Sequence, residues 1–371
     1  MSETLENQRS ESGGLRLLRS ASSFYQSLFD DLKRAQKTVR IQMYCVQDGE
    51  IGGVFQKLLT GCAMRGVRVD LIYDSAGSIY TPASYFSAMA EAGVNVVEYH
   101  PIRLGGILAR FGSVKRFFRR NHRKLIVIDS NIYYLGGMNI GDRFLEWEDV
   151  MIRGEGAPVA LLDASFDRTL TTRWRRKRQK RRERMETRLA GNIEVWDSRP
   201  RVDNYPVKRL YINAIKRAKK RVWIAQAYFV PRRRLIKTLI KAANRGVDVR
   251  VIAPEKSDVK IVDMASWPSV AKLLKHGVKV YRFKPSMLHT KMALIDGKWL
   301  SIGTANLDSL SMYWNMEINL VIREKEIAAE AEEIFRDYLS RSREVDVDEP
   351  KRRPLHLRVI GRLLHYYGWI L

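Results

Sequence analysis

The sequence predicts an α/β protein of two tandem domains, each a mixed sheet flanked by helices. Three observations lead there. Four stretches of the first half recur, in the same order, in the second. The repeated stretches are short, apolar and rich in β-branched residues, as buried strands are. Between them lie helical patterns that end at a glycine, a common helix terminator. The 371 residues suffice for two ordinary domains, and 45% hydrophobic content supplies their cores.

Residues 1–20 read as a polar N-terminal tail, because "MSETLENQRSESGG" lacks the apolar region of a signal peptide. The first domain spans 21–172. Its opening strand, "AQKTVRIQMYCV" (35–46), matches "AKKRVWIAQAYFV" (218–230) with one residue inserted. The helix "GGVFQKLLTGCAMRG" follows, as "RRRLIKTLIKAANRG" does in the second half. Next, "GVRVDLI" (66–72) answers "GVDVRVI" (246–252), and "GVNVVEYHP" (93–101) answers "GVKVYRFKP" (277–285). Strand, helix, strand predicts a largely parallel or mixed sheet in each half. A basic insert, 102–121, follows in the first half only; "IRLGGILARFGSVKRFFRR" carries six Lys/Arg, no acid and three phenylalanines. A basic linker, 173–190, includes "RWRRKRQKRRERMETR", with ten Lys/Arg in sixteen residues. The second domain spans 191–345, and a basic amphipathic tail, 346–371, ends in an aromatic cluster.

The fourth repeated landmark carries the chemistry. "NHRKLIVID" (121–129) and "LHTKMALID" (288–296) align His122, Lys124 and Asp129 with His289, Lys291 and Asp296. On a strand, residues i and i+2 share a face, so each His and Lys project together. The apolar residues between are buried strand, and each aspartate closes it, placed to anchor the next turn. As members of the repeated motif, Asp129 and Asp296 are counted with the histidines and lysines as candidate catalytic residues. Six residues further on stand "GGMN" (136–139) and "GTAN" (303–306), with Asn139 and Asn306. Asp149 lies 27 residues after His122 and Glu317 lies 28 after His289. An acid there orients an imidazole through Nδ1 and leaves Nε2 free to react.

This constellation resembles the phospholipase D superfamily, whose mark is HxKxxxxD, six residues, then a Gly-Ser-x-Asn-like turn. The resemblance covers nearly the whole chain. It implies two phospholipase D-like domains about a pseudo-twofold, with the active site at their interface. It also implies a two-step phosphodiester exchange through a phosphohistidine. By that analogy His122 is the nucleophile and His289 the acid/base, although the symmetry of the motif also permits the reverse. Lys124, Lys291, Asn139 and Asn306 would bind the phosphate oxygens as charge develops. The family's serine position holds Gly137 in one copy and Thr304 in the other; only Thr304 keeps a hydroxyl.

Within the superfamily the motifs look most like bacterial cardiolipin synthases of the shorter branch without N-terminal membrane spans. Those enzymes move a phosphatidyl group between two phosphatidylglycerol molecules. The charge agrees: 66 Lys+Arg against 41 Asp+Glu give a net +25, which calls for an anionic partner. In the insert and the tail the bases travel with apolar residues, which suits an anionic leaflet better than nucleic acid. Arg110, Lys115, Arg116, Phe117, Phe118, Arg352, Arg353 and Trp369 are the candidate membrane contacts. No window reaches the roughly 20 apolar residues of a span, so the expectation is a peripheral protein on the cytoplasmic face of the membrane. Two cysteines, Cys45 and Cys62, make no disulfide framework and fit a reducing compartment. No metal-ligand spacing appears, so neither metal nor cofactor is expected. The rival readings are a nuclease or phospholipase that passes the phosphoryl group to water, and a non-catalytic binder of membranes or nucleic acid. Binding alone would not require paired histidines.

Overall fold

A computed structural model of the chain describes residues 14–102, 119–174, 188–199 and 205–367. The first sheet contains β1 (Arg16–Leu18), β2 (Thr38–Met43), β3 (Arg68–Asp74), β4 (Asn95–Tyr99), β5 (Leu125–Ile128), β6 (Ile132–Gly136) and β7 (Met151–Glu155). Their order across the sheet is β1-β7-β6-β5-β2-β3-β4. The second sheet contains β8 (Arg188–Ala190), β9 (Ile193–Ser198), β10 (Arg221–Gln226), β11 (Asp248–Pro254) and β12 (Lys279–Phe283). It continues with β13 (Lys291–Ile295), β14 (Trp299–Gly303), β15 (Glu317–Ile322) and β16 (Ser342–Glu344). Its order, β16-β12-β11-β10-β13-β14-β15-β9-β8, repeats the first sheet's and adds β8 and β16 at its edges.

Both sheets are mixed, for a reason local to the connections. Helices Gly49–Met64 and Ala83–Glu91 carry the chain between β2, β3 and β4, which therefore run parallel. From β5 onward the pairing is antiparallel, through a tight β5–β6 turn and a longer β6–β7 link that carries Asn139 and Asp149. The β5–β6 turn needs left-handed backbone, found at Asp129 and Ser130 (φ 52° and 48°); its counterpart uses Asp296 and Gly297 (φ 53° and 69°).

Alternation along the central strands builds a layered core. Leu125 and Val127 face the same interior as Met292 and Leu294, so one hydrophobic cluster is shared by both halves. Ile126 and Ile128 face the first domain's outer helices; Ala293 and Ile295 face the second's. Each fully buried aliphatic side chain contributes about 1.5–3 kcal/mol, so this shared layer fixes how the domains sit.

Several sequence boundaries shift. The expected tail at 1–20 includes β1, which pairs antiparallel with β7 because Leu17 and Leu18 have core to fill. Ser20 then caps helix Ala21–Arg34 in a capping box with Ser23. At the end of the insert, Arg120 is buried against Asp74 at 3.6 Å, and Asn121 donates its amide to the same carboxylate. These two residues belong to the scaffold of the site. The C-terminal segment is two helices, Glu349–Arg352 and Leu355–Tyr367, the second docked on helix Lys260–Leu274. Arg110, Lys115, Arg116, Phe117, Phe118 and Trp369 lie outside the described residues, as does most of the basic linker.

Candidate active site

His122 and His289 stand in extended segments just before β5 and β13, not on the strands themselves. Each is held by the opposite half. The His122 amide donates to Met316 O (3.1 Å), and the Met316 amide donates to Arg120 O (2.8 Å). Reciprocally, the His289 amide donates to Glu148 O (2.7 Å) and the Glu148 amide to Met287 O (2.9 Å). The next residue of each anchoring segment holds the ring. His122 Nδ1 lies 3.0 Å from Glu317 Oε1, and His289 Nδ1 lies 2.6 Å from Asp149 Oδ2.

The histidine–acid pairing therefore crosses between the domains. Sequence order associates Asp149 with His122 and Glu317 with His289, and the structure pairs them the other way. Within one sheet β6 separates β5 from β7, which puts a histidine and its own half's acid about two strand spacings, ~10 Å, apart. Across the interface they touch. Such mutual exchange is the signature of a twofold-like contact.

Two buried lysines accompany the histidines. Lys124 Nζ donates to His122 O at 2.9 Å, and Lys291 Nζ donates to His289 O. Burial, and for Lys124 the charge of Lys291, push them down to about 7 and about 8 respectively. Burial also lowers both histidines; at His289 the charges of Lys291 and Lys124 add to it, whereas at His122 the Glu317 charge opposes it. Burial pushes Asp149 up to about 7, against the pull of Lys291. Four nitrogen bases thus converge around two acids, an arrangement that an incoming phosphate anion would relieve.

The remaining expected residues divide. Asn139 Oδ1 accepts from the Cys45 amide at 3.2 Å, while Asn306 Oδ1 is buried and has no hydrogen-bond partner among the described residues. The Thr304 hydroxyl donates to Glu317 Oε2 at 2.5 Å, so it positions the acid that orients His122. At Gly137 a Cβ would come within 2.3 Å of Asp149 Oδ1; lacking one, it lets Asp149 close on His289. Asp129 and Asp296 lie at the far ends of their strands from the histidines. Asp129 accepts from the amides of Gln36, Lys37 and Thr38 at 2.7–2.9 Å. Asp296 does the same for Lys219, Lys220 and Arg221. Burial would raise these carboxyls, but the amides outweigh it and lower them. Their work is to clamp the start of β2 and of β10.

Sequence reasoning missed the polar and aromatic lining. The Tyr44 ring meets His122 edge-on at 4.8 Å, and Lys124 Nζ sits 5.0 Å from the Tyr44 centroid. Trp147 lies 5.0 Å from the His289 ring and Tyr228 lies 6.4 Å from it. Gln42 Oε1 accepts from Asn121 Nδ2 and Gln226 Oε1 from the Leu307 amide, both fully buried. With one residue inserted, Gln42 and Tyr44 align with Gln226 and Tyr228 in sequence, although Gln42 pairs with Leu125 and Gln226 with Lys291. Polar residues recurring in an apolar strand were the available signal. Among the described residues no cluster of His, Cys, Asp or Glu is composed to hold a metal ion.

Comparison with known proteins agrees with this geometry. Residues 28–170 and 211–339 match the family described as "Cardiolipin synthase, PLD-like domain". A cardiolipin synthase of a Geobacillus species is 31% identical over 365 residues, covering 93% of this chain and 70% of its own. Cardiolipin synthase A of Edwardsiella ictaluri is 33% identical over 375 residues, covering 96% and 75%. Among solved structures, a phosphatidylserine synthase of Haemophilus influenzae shares the fold with a TM-score of 0.74 at 12% identity, covering 96% of this chain and 95% of its own. A polyphosphate kinase of Porphyromonas gingivalis does so with a TM-score of 0.64 at 13% identity, covering 95% of this chain and 53% of its own. The duplicated motif, the two matched domains and these relatives together place the chain in the cardiolipin synthase family of phospholipase D-like proteins.

Proposed function

We propose that this protein transfers a phosphatidyl group from one phosphatidylglycerol to another, making cardiolipin and releasing glycerol. The reading is carried by two histidines held by each other's domains around two buried lysines, in a chain whose relatives are named cardiolipin synthases. In the first step a neutral imidazole, His122, attacks phosphorus through Nε2. A P–N bond forms, the P–O bond to glycerol breaks, and His289 delivers the proton that the departing alkoxide needs. Asp149 and the bound phosphate anion favour its imidazolium there, offsetting the burial and the Lys291 and Lys124 charges that lower it in the free protein. In the second step His289 takes the proton of the acceptor hydroxyl, the new P–O bond forms and His122 is released. Lys124, Lys291, Asn139 and Asn306 neutralise or donate to the phosphoryl oxygens.

The expected result is cardiolipin and glycerol in equal amounts from phosphatidylglycerol vesicles, with chelator present. Cleavage of DNA with lipid untouched would instead establish the nuclease reading; phosphatidic acid as the sole lipid product would establish hydrolysis.

The membrane side of this reading rests on helix Leu355–Tyr367. Gly361 lets it lie close against helix Lys260–Leu274, since a Cβ there would sit 2.7 Å from Met264 O. The opposite face leaves Leu355, Val359, Leu363 and Tyr366 exposed at 69%, 46%, 53% and 70%. These follow helical spacing and share the helix with Arg358 and Arg362. Arg352 is exposed at its N-terminal side, whereas Arg353 folds back to stack 4.2 Å from the Trp267 centroid. An apolar stripe among bases suits the interface of an anionic leaflet. Among the described residues no helix is long and apolar enough to cross a membrane. The attachment in this reading is peripheral and at the cytoplasmic face, and it rests on the exposed stripe. Replacing Leu355 and Leu363 together by Glu should lower co-sedimentation with phosphatidylglycerol vesicles more than tenfold. Undiminished sedimentation would remove this helix from the account.

A further inference from the structure

Two residues along the chain from Asn306 is a shallow pocket of about 10 Å³, walled by Lys208, Pro231, Arg232, Arg234, Asp308 and Tyr313, among others. That is room for about one water, so a larger anion would sit across its mouth among the cations. Two of its walls continue segments that line the phosphate site. Asn306 runs directly into Leu307 and Asp308, and Leu307 bridges to Phe229 while its amide donates to Gln226. From Tyr228, near His289, the chain passes through Phe229 and Val230 to Pro231 and Arg232. Residues two apart have Cα atoms within about 7 Å of each other, so the Asp308 wall begins one short step from Asn306.

Positive charge is concentrated here. Lys208 Nζ sits 5.2 Å from the Tyr205 centroid and 4.8 Å from that of Tyr313, and Arg232 stacks 4.9 Å from the same Tyr313 ring. Tyr205 holds left-handed backbone (φ 49°), and its ring packs 4.8 Å from Tyr313. Arg234 adds a third cation to the wall, and the first turn of helix Arg233–Ala243 carries no acid. Among the described residues none of the three cations makes an ion pair with a carboxylate. Cation–ring contacts at exposed sites contribute about 0.5–1 kcal/mol each, which orders these groups without neutralising them. The one acid in the wall, Asp308, accepts from the Ser311 amide at 2.7 Å, and burial pushes it up to about 7. Three cations therefore stand beside a single acid whose ionisation burial opposes.

Transfer between two like lipids poses a problem that such an anion site answers. The acceptor lipid carries its own phosphodiester, one glycerol away from its attacking hydroxyl. Water and simple alcohols do not. We infer that Lys208, Arg232 and Arg234 form an acceptor subsite for the phosphodiester of the second glycerophospholipid, directing the phosphohistidine to that lipid rather than to water. This inference rests on the transferase reading above.

The test is a competition between acceptors. Enzyme is given phosphatidylglycerol vesicles with ethanol present, and the ratio of cardiolipin to phosphatidylethanol is measured. In Lys208→Gln/Arg232→Gln that ratio should fall at least tenfold, and Arg232→Lys alone should keep most of the wild-type ratio. The Arg232→Gln/Arg234→Gln pair alters only exposed side chains and gives the same readout should the first variant fold poorly. A parallel fall of both products means that the patch only recruits the enzyme to vesicles, and overturns the subsite. An unchanged ratio overturns it as well, with the transferase reading intact. Absence of cardiolipin from the wild type overturns the transferase reading, and the subsite with it.

Discussion

His122→Ala and His289→Ala should each remove turnover of phosphatidylglycerol by on the order of 10⁴-fold or more. The two rings act as one unit: one must be neutral to attack and the other cationic to release glycerol. Neither half supplies a complete histidine–acid pair, because Glu317 orients His122 and Asp149 orients His289. The double variant should therefore be little worse than either single one. The variants separate when the leaving group needs no proton. With a phosphatidyl p-nitrophenol donor, His289→Ala should still release nitrophenol once and accumulate an acid-labile phosphohistidine on His122. His122→Ala should give no burst and no labelled protein. The reverse pattern would exchange the two roles, and a burst in neither would sink the covalent mechanism. Each variant takes the histidine partner from a buried acid, leaving Glu317 with Thr304 or Asp149 with the Val150 amide, so thermal unfolding should accompany the kinetics.

How much of this was legible in the sequence depends on which distances are local. The duplication is local: four landmarks repeat, and the two sheets accordingly share one strand order. His122 and Lys124, like His289 and Lys291, were legible because spacing along one chain places them. The crossing of the acids was not. Asp149 and Glu317 are at the right positions in the sequence, but a repeat does not say which half an acid faces. That is decided by the packing of the shared core, where Leu125 and Val127 meet the layer of Met292 and Leu294. Asp129 and Asp296 looked catalytic because they belong to the repeated motif, yet the four- and five-residue strands β5 and β13 carry them to the opposite edge. Repetition marks shared structure as readily as shared chemistry. Gln42, Tyr44, Gln226 and Tyr228 show the converse, since they were concealed in a stretch that reads simply as strand. The β1 segment is only three residues long, too short for alternation to distinguish it from a tail.

Lys124→Met should abolish activity and, at pH 7, make the protein more stable. Lys124 is fully buried, and burial together with the Lys291 charge lowers it from 10.5 to about 7. The unfolded chain keeps that proton up to about pH 10.4, so between those two values the unfolded state binds more protons than the folded one. The unfolding free energy of the wild type therefore gains from this group as pH rises through that window. Below pH 7 the whole cost of burying the charge is present. Each tenfold loss of proton affinity corresponds to about 1.4 kcal/mol, and losing the hydrogen bond to His122 O returns about 1–2 kcal/mol. A net gain of about 2 kcal/mol at pH 7 is the expected balance for the near-isosteric Met, shrinking as pH approaches 10. Inorganic phosphate should reverse the ranking. An anion between the lysines favours the charged ammonium, so the wild type gains stability by mass action and the variant gains less. For the same reason phosphate affinity of the wild type should weaken as pH rises through 7 to 8, where Lys124 and Lys291 lose their protons in the empty site. Thermal unfolding at pH 7 and pH 10, with and without phosphate, reads all of this. If the variant is less stable than the wild type at pH 7, the buried ammonium is not the strained group, and the site is not poised for an anion through Lys124.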